Sequence, residues 1–300
     1  MLMHSDQIVL TPQTAARLIE DQFPHWAGLP LVPVLPGGTV NAVFLLGDDL
    51  VARFPLQPAD PQAALLALEG EAAAARELAG RTRFATPEPV AIGAPGEGYP
   101  MPWSVQTRLP GTPADRNDAG SGTDFALDLA EFVRGVRAID ARGRVFRGQG
   151  RGGCIADHDE WVRTCLERSE GLLDVPRLRR LWEGRLRDLP RGSDPDVMSH
   201  GDLMPGNLLV REGRLVGVVD VGGLGAADPA LDLLCAWDVL EEGPRAVFRE
   251  ALGVGDAEWE RGRAWAFEQA LGLVWYYRES NPPMSRIGRR TLRWILEGEG

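Results

Sequence analysis

Apolar positions recur along this chain at two spacings, and the switch between them divides it. Residues 12–22 carry Ala16, Leu18 and Ile19 at helical spacing, with Thr11 as a cap and Pro12 suited to the first turn. Short extended runs follow at Leu31–Leu35, Ala42–Leu46 and Leu50–Phe54. Gly47-Asp48-Asp49 is a tight-turn signal that makes the last two a hairpin. An Ala/Leu/Glu-rich stretch, 61–79, predicts a long helix. Pro87 and Pro89 end that pattern before two more strand-like runs, Glu88–Ile92 and Ser104–Leu109. Pro110-Gly111-Thr112-Pro113 marks a boundary.

Beyond it the period is helical. Asp124–Ile139, Asp159–Leu173, Arg177–Asp188, Ala230–Leu240, Asp256–Tyr277 and Ser285–Leu296 all predict helices. The exception is Asn207–Asp220, where two β-rich runs flank the turn signal Arg211-Glu212-Gly213-Arg214. Residues 141–153 are rich in Arg and Gly and read as a mobile loop. A small antiparallel sheet with one long helix, then a larger and mainly helical part, is an α+β pattern. It predicts two lobes, 1–109 and 110–300.

Composition narrows the chemistry. The 300 residues carry a net charge of −11, so the basic footprint of a nucleic-acid binder is missing, while an acidic body suits a cationic ligand. All 32 basic residues are arginine. Lysine Schiff-base chemistry and a Walker-type phosphate lysine are thereby excluded. Three cysteines, Cys154, Cys165 and Cys235, have no metal-type spacing and read as reduced thiols. No run approaches a membrane span and Met1–Gln7 lacks the character of a signal peptide, so the expectation is a cytoplasmic protein that does not engage a membrane. No protein partner is evident in the pattern.

One segment concentrates chemistry: Ser199-His200-Gly201-Asp202-Leu203-Met204-Pro205-Gly206-Asn207, then a hairpin, then Asp220-Val221-Gly222. Asn207 enters one strand and Asp220 ends its partner, so the hairpin returns Asp220 beside Asn207. Two carboxylates and an amide oxygen converging in this way suit Mg²⁺, which prefers hard oxygen ligands and keeps several waters. A carboxylate left over can accept a hydroxyl proton.

Asp-x-x-x-x-Asn, a hairpin and Asp-x-Gly together resemble the catalytic and metal loops of the protein-kinase-like superfamily. The chain is more closely similar to the aminoglycoside phosphotransferase family, on His200-Gly201-Asp202, Asn207 and the run Asp220 to Leu233, which contains Asp228-Pro229 and Asp232-Leu233. Met204 and Val221 depart from that family's usual residues, and neither is a proposed ligand. The resemblance covers about residues 10–297 and implies a bilobal protein-kinase-like fold. It implies that residues 1–109 bind the nucleotide and that 110–300 carry the catalytic and metal loops and the acceptor pocket.

By the same resemblance, Asp202 orients or deprotonates an acceptor hydroxyl, and Asn207 and Asp220 hold Mg²⁺ on the phosphates of ATP or GTP. His200 supports the loop, while Asp232 and Asp228 brace its backbone or cap the helix near Ala230. Arg53 takes the place of the usual strand lysine, with Glu71 as its partner and Glu69 and Glu77 as alternatives. Gly37 and Gly38 occupy the phosphate-loop position, where their N–H groups can approach phosphate oxygens. The acceptor is then a small polar or cationic molecule. Asp238, Glu241, Glu242, Glu258, Glu260, Glu268 and Glu279 with Trp275, Tyr276 and Tyr277 are candidates for an acidic and aromatic acceptor wall. The expected activity is Mg-dependent transfer of the nucleotide γ-phosphate to a hydroxyl of a small molecule, such as an aminoglycoside or another aminated natural product. Alternatives are a metabolite kinase with a non-antibiotic acceptor and a degenerate nucleotide-binding protein.

Overall fold

The structure, a computed structural model, describes residues 6–34, 40–116, 118–148, 150–192 and 194–298. The chain divides into two compact units. One runs to Ala79 and resumes over Ala85–Pro110, and the other takes Gly80–Phe84 and everything from Gly111.

The first unit opens with α1 (Pro12–Gln22), where Thr11 Oγ1 accepts from Thr14 N–H at 3.1 Å and Ala15, Leu18 and Ile19 are buried. Strands β1 (Leu31–Pro33), β2 (Asn41–Leu46) and β3 (Leu50–Pro55) follow, then α2 (Pro61–Leu78), β4 (Pro89–Gly93) and β5 (Trp103–Thr107). The sheet order is β1-β2-β3-β5-β4, antiparallel throughout. Ala52 and Phe54 point inward from β3 and Arg53 lies between them on the other face, as strand alternation requires. Phe54 stacks on Trp103 with ring centroids 4.8 Å apart. Gly93 admits that packing, because a Cβ there would fall 2.1 Å from the Trp103 ring. Asp60 caps α2 by accepting from Ala63 N–H at 2.7 Å.

The second unit contains β6 (Thr112–Pro113), α3 (Thr123–Arg137), α4 (Asp159–Arg168), α5 (Val175–Leu181), β7 (Val197–Ser199), β8 (Leu208–Arg211), β9 (Arg214–Val218) and β10 (Gly225–Ala227). It ends with α6 (Cys235–Asp238), α7 (Glu242–Leu252), α8 (Asp256–Tyr276) and α9 (Pro282–Glu297). Gly80–Phe84 joins it because Arg83 bonds Asp128 and Glu131 of α3 and Phe84 meets Phe132 edge-on. Asp128 is buried and also accepts from Arg214 Nε and Nη2 and from Leu215 N–H, which clamps α3 to the β8–β9 hairpin. A buried pair between Asp228 and Arg261, at 2.9 Å, ties the segment after β10 to α8.

Some elements depart from the sequence pattern. The helix expected over 230–240 is a 3₁₀ turn, Leu231–Leu234, followed by the short α6. α7 was hidden by Gly243-Pro244, which look like breakers; both lie in its first turn, where amide donors have no intrahelical partner and proline is tolerated. The helix expected over 177–188 is α5 continued by a π-turn, Trp182–Leu186. Among the described residues no helix is long and apolar enough to cross a membrane.

Candidate active site

The site grows from the two-residue turn of the β8–β9 hairpin. Glu212 and Gly213 have φ of 53° and 73°, the conformation that matches the twist of paired strands. Beyond the turn a bulge at Leu209/Val210 shifts the register by one, so Leu208 pairs with Val218, Val219 N–H donates to Asn207 O at 2.9 Å, and Asp220 follows immediately. Asp220 itself is left-handed, φ 59° and ψ 50°, and starts the 3₁₀ turn Val221–Gly223. A side chain held in that region for structural reasons alone is uncommon, although Asp tolerates it better than most.

Asp202 lies in the loop between β7 and β8. Gly201 supplies the positive φ, 82°, that turns the chain there. Asp232 holds the loop from beneath: its Oδ2 accepts from His200 N–H at 2.8 Å and its Oδ1 from Gly201 N–H at 2.9 Å. The fully buried His200 ring spans the loop, with Nδ1 3.3 Å from Asp202 N and Nε2 3.3 Å from Val219 O. An N–H donor at one nitrogen and a carbonyl at the other select the tautomer protonated on Nε2. The turn after Asp220 packs just as closely, since a Cβ on Gly223 would stand 2.9 Å from His200 O.

Both oxygens of Asp202 are spoken for. Asn207 Nδ2 donates to Oδ2 at 3.1 Å and to the Asp202 carbonyl at 2.9 Å. Gln269 Nε2 of α8 donates to Oδ1 at 3.1 Å, and Arg151 Nη2 lies 3.5 Å from the same oxygen. The side chain nevertheless keeps 41% of its surface accessible, enough for a hydroxyl to approach. Removal from bulk water pushes the Asp202 carboxyl above the usual carboxylate range; the Asp220 charge acts the same way, while Arg151, His200 and Gln269 oppose it.

The donor set fits Mg²⁺. The Asn207 amide nitrogen is committed to Asp202, which leaves its oxygen to face elsewhere, and Asp220, one residue past the Val219 N–H that donates to Asn207 O, is near enough for its charge to act on Asp202. Among the described residues no group of three or more His, Cys, Asp or Glu is gathered into a cage. An open set of one amide and one carboxylate oxygen is the arrangement of a cation that also takes water and phosphate oxygens.

In the first unit, Arg53 Nη1 meets Glu71 Oε2 at 3.3 Å, linking β3 to α2. Gly37 and Gly38 lie outside the described residues. The residues of the expected acidic wall divide: Glu241, Glu242 and Glu279 are exposed, while Glu258 pairs with Arg137, Glu260 with Arg263 and Arg185, and Glu268 with His158. Asp238 is fully buried and accepts from Thr291 Oγ1 at 3.0 Å; burial pushes its carboxyl up to about 7. Arg151, Gln269 and Gly223 are residues that sequence reasoning did not single out. Arg151 stood in the run read as a mobile loop and is instead held in place: Gly150 O lies 3.3 Å from His158 Nε2, and Gly152 O accepts from Asp228 N–H at 3.0 Å.

The chain is similar to known proteins in sequence and in fold. It is 48% identical over 62 residues to an aminoglycoside 3'-phosphotransferase of Escherichia coli, covering 21% of this chain and 22% of that one. Another Escherichia coli aminoglycoside 3'-phosphotransferase is 28% identical over 155 residues, 47% of this chain and 53% of the relative. The chain thus spans about half or less of the curated relatives it matches. The fold is that of the GDP complex of wild-type aminoglycoside 2'-phosphotransferase-IIIa, with a TM-score of 0.71, 20% identity, and coverage of 97% of this chain and 100% of that one. It also matches the apoenzyme of macrolide 2'-phosphotransferase MphH from Brachybacterium faecium, with a TM-score of 0.61, 21% identity, and coverage of 94% and 98%. A hairpin that sets Asp220 beside Asn207, below a loop braced on Asp232, belongs to a chain matched over residues 32–265 by the phosphotransferase enzyme family, and this protein is a member of that family.

Proposed function

We propose that the protein transfers the γ-phosphate of Mg·ATP or Mg·GTP to a hydroxyl of a small molecule. The observation that carries this reading is the hairpin register, which sets Asp220 beside Asn207 while Asn207 holds Asp202. Three oxygen-bearing side chains, two from the β7–β8 loop and one from the end of the β8–β9 hairpin, then serve two tasks.

Asp202 is the acceptor-facing group. Asn207, Gln269 and Arg151 fix its carboxylate in one orientation, so a bound hydroxyl meets a lone pair already in position. A carboxyl pushed upward by burial is a better proton acceptor than a free one, which suits transfer of the hydroxyl proton to Asp202 as the oxygen attacks phosphorus. Asn207 and Asp220 would hold Mg²⁺, whose contribution is to neutralise charge on the phosphate oxygens. Arg53, oriented by Glu71, is the cation for the nucleotide phosphates, and a planar guanidinium can grip phosphate through two donors. Gly37 and Gly38 are proposed to cover those phosphates with backbone N–H groups. The names of the similar proteins point to hydroxyl-bearing natural products, aminoglycosides and macrolides, as the class in which to look for the acceptor.

Thermal unfolding with Mg·ATP, Mg·GTP and metal-free nucleotide tests the reading. Ligand at one hundred times its Kd stabilises by about 2.7 kcal/mol. A Mg²⁺-dependent rise in midpoint that Asp220→Ala abolishes is expected. No rise with either nucleotide at saturating concentration would refute the proposal and favour a chain that keeps the fold without the activity.

A further inference from the structure

Two carboxylates at this site, Asp202 and Glu268, share a cation of the chain itself. Arg151 reaches Asp202 Oδ1 with Nη2 and lies 3.7 Å from Glu268 Oε2 with Nη1. On its other oxygen Glu268 meets His158 Nδ1 at 3.0 Å. The remaining His158 nitrogen faces Gly150 O, so both ring nitrogens point at acceptors, the situation that favours the charged ring. Glu268 is 5% exposed and stands between two positive groups.

Arg151 is built in rather than draped. Its neighbours on both sides are fixed by the bonds of Gly150 to His158 and of Gly152 to Asp228. Gly152, at φ 115°, packs so closely that a Cβ there would lie 2.9 Å from Ala227 and 3.2 Å from Leu231. Asp228 is in turn locked to Arg261. The guanidinium keeps 27% of its side-chain surface accessible. Any hydroxyl that hydrogen-bonds Asp202 must come within a few ångströms of this fixed cation.

From this geometry we infer that Arg151 makes the Asp202 recess selective against polycations, so that the acceptor is neutral or carries at most one positive charge. The inference rests on the phosphotransfer reading only for the word acceptor; the charge preference of the recess is a property of the chain. An ammonium group next to the reacting hydroxyl would lie close to the Arg151 guanidinium, and Glu268, the buried carboxylate beside that cation, is already paired with it and with His158. Further from Asp202 the same holds: Glu258, Glu260 and Asp228 each pair with arginine.

Calorimetric titration with kanamycin, a polycation, tests this without nucleotide, on the wild type, Arg151→Gln and Arg151→Lys. Circular dichroism melting checks that each variant is folded. The expected result is weak binding to the wild type and to Arg151→Lys. Arg151→Gln should bind about tenfold or more tightly, with a gain that added salt erases. If Arg151→Gln does not fold, the wild type decides: a recess with balanced charge should bind kanamycin weakly at low as well as at physiological salt. Micromolar wild-type binding that falls steeply with salt, or Arg151→Gln no tighter than wild type, would overturn the inference. Mg·nucleotide binding on the same samples reports on the phosphotransfer reading separately, so failure of one is distinguishable from failure of the other.

Discussion

Removing the Asp232 carboxylate should unfasten the loop that carries Asp202. This side chain is 1% exposed, and its two oxygens accept from His200 N–H at 2.8 Å and Gly201 N–H at 2.9 Å. His200 is completely buried, so in Asp232→Ala water cannot simply replace the lost acceptor there. Leaving a buried donor unmade costs about 1–3 kcal/mol, so the two together predict a loss of about 2–6 kcal/mol. A domain of this size changes its midpoint by about 2–4 °C per kcal/mol, so a loss of about 3 kcal/mol lowers it by about 6–12 °C. Asp232→Asn keeps one acceptor oxygen and turns an NH₂ group toward the other N–H, so it should fall between alanine and wild type. Melting followed by circular dichroism, with and without Mg·nucleotide, measures both effects. A midpoint for Asp232→Ala within about 2 °C of wild type, with the Mg·nucleotide shift intact, would refute the reasoning, because the loop would then hold its shape without the brace.

Two other perturbations follow from the same region. Gly223→Ala puts a Cβ 2.9 Å from His200 O, a backbone atom that can only move with the loop; we expect about 1–3 kcal/mol of destabilisation and at least a tenfold drop in any nucleotide-dependent turnover, read by melting and by a kinetic assay. Asp238, among Thr291, Arg290, Arg151 and Asp202, has its carboxyl raised to about 7 by burial, above the ordinary value near 4. The folded state therefore binds more protons between those values, so this group stabilises the protein below about pH 4 and its contribution is lost as pH rises toward 7. Melting from pH 4 to 8 should show Asp238→Asn gaining on the wild type as pH rises, and a constant difference across that range would contradict it.

The two kinds of information divide cleanly at particular residues. Asp202, Asn207 and Asp220 are legible because their relation is local, a loop of five residues and a hairpin turn at Glu212-Gly213; the bulge that shifts the pairing by one beyond Val210 is not legible. Arg53 is legible because strand alternation sets it apart from Ala52 and Phe54, and Glu71 because it lies on the one long helix of the first unit. α7 was not legible, because the same Gly-Pro pair ends a helix in its interior and is tolerated in its first turn. Gly37 and Gly38 fall outside the described residues.

What the sequence determined by itself is therefore the α+β pattern, the hairpin and the candidate site residues on it, all of which depend on periodicity and on turns a few residues long. Only the tertiary structure decided what surrounds Asp202. Arg151 reaches it from 51 positions away and Gln269 from 67, and Asp232 holds its loop across 32. Such pairings arise from how helices and loops pack within the second unit, and no spacing along the chain encodes them. The same packing decides charge. Three of the acidic residues that read as a cation-binding wall, Glu258, Glu260 and Glu268, are paired with arginine or histidine once folded, because a carboxylate withdrawn from water needs a partner.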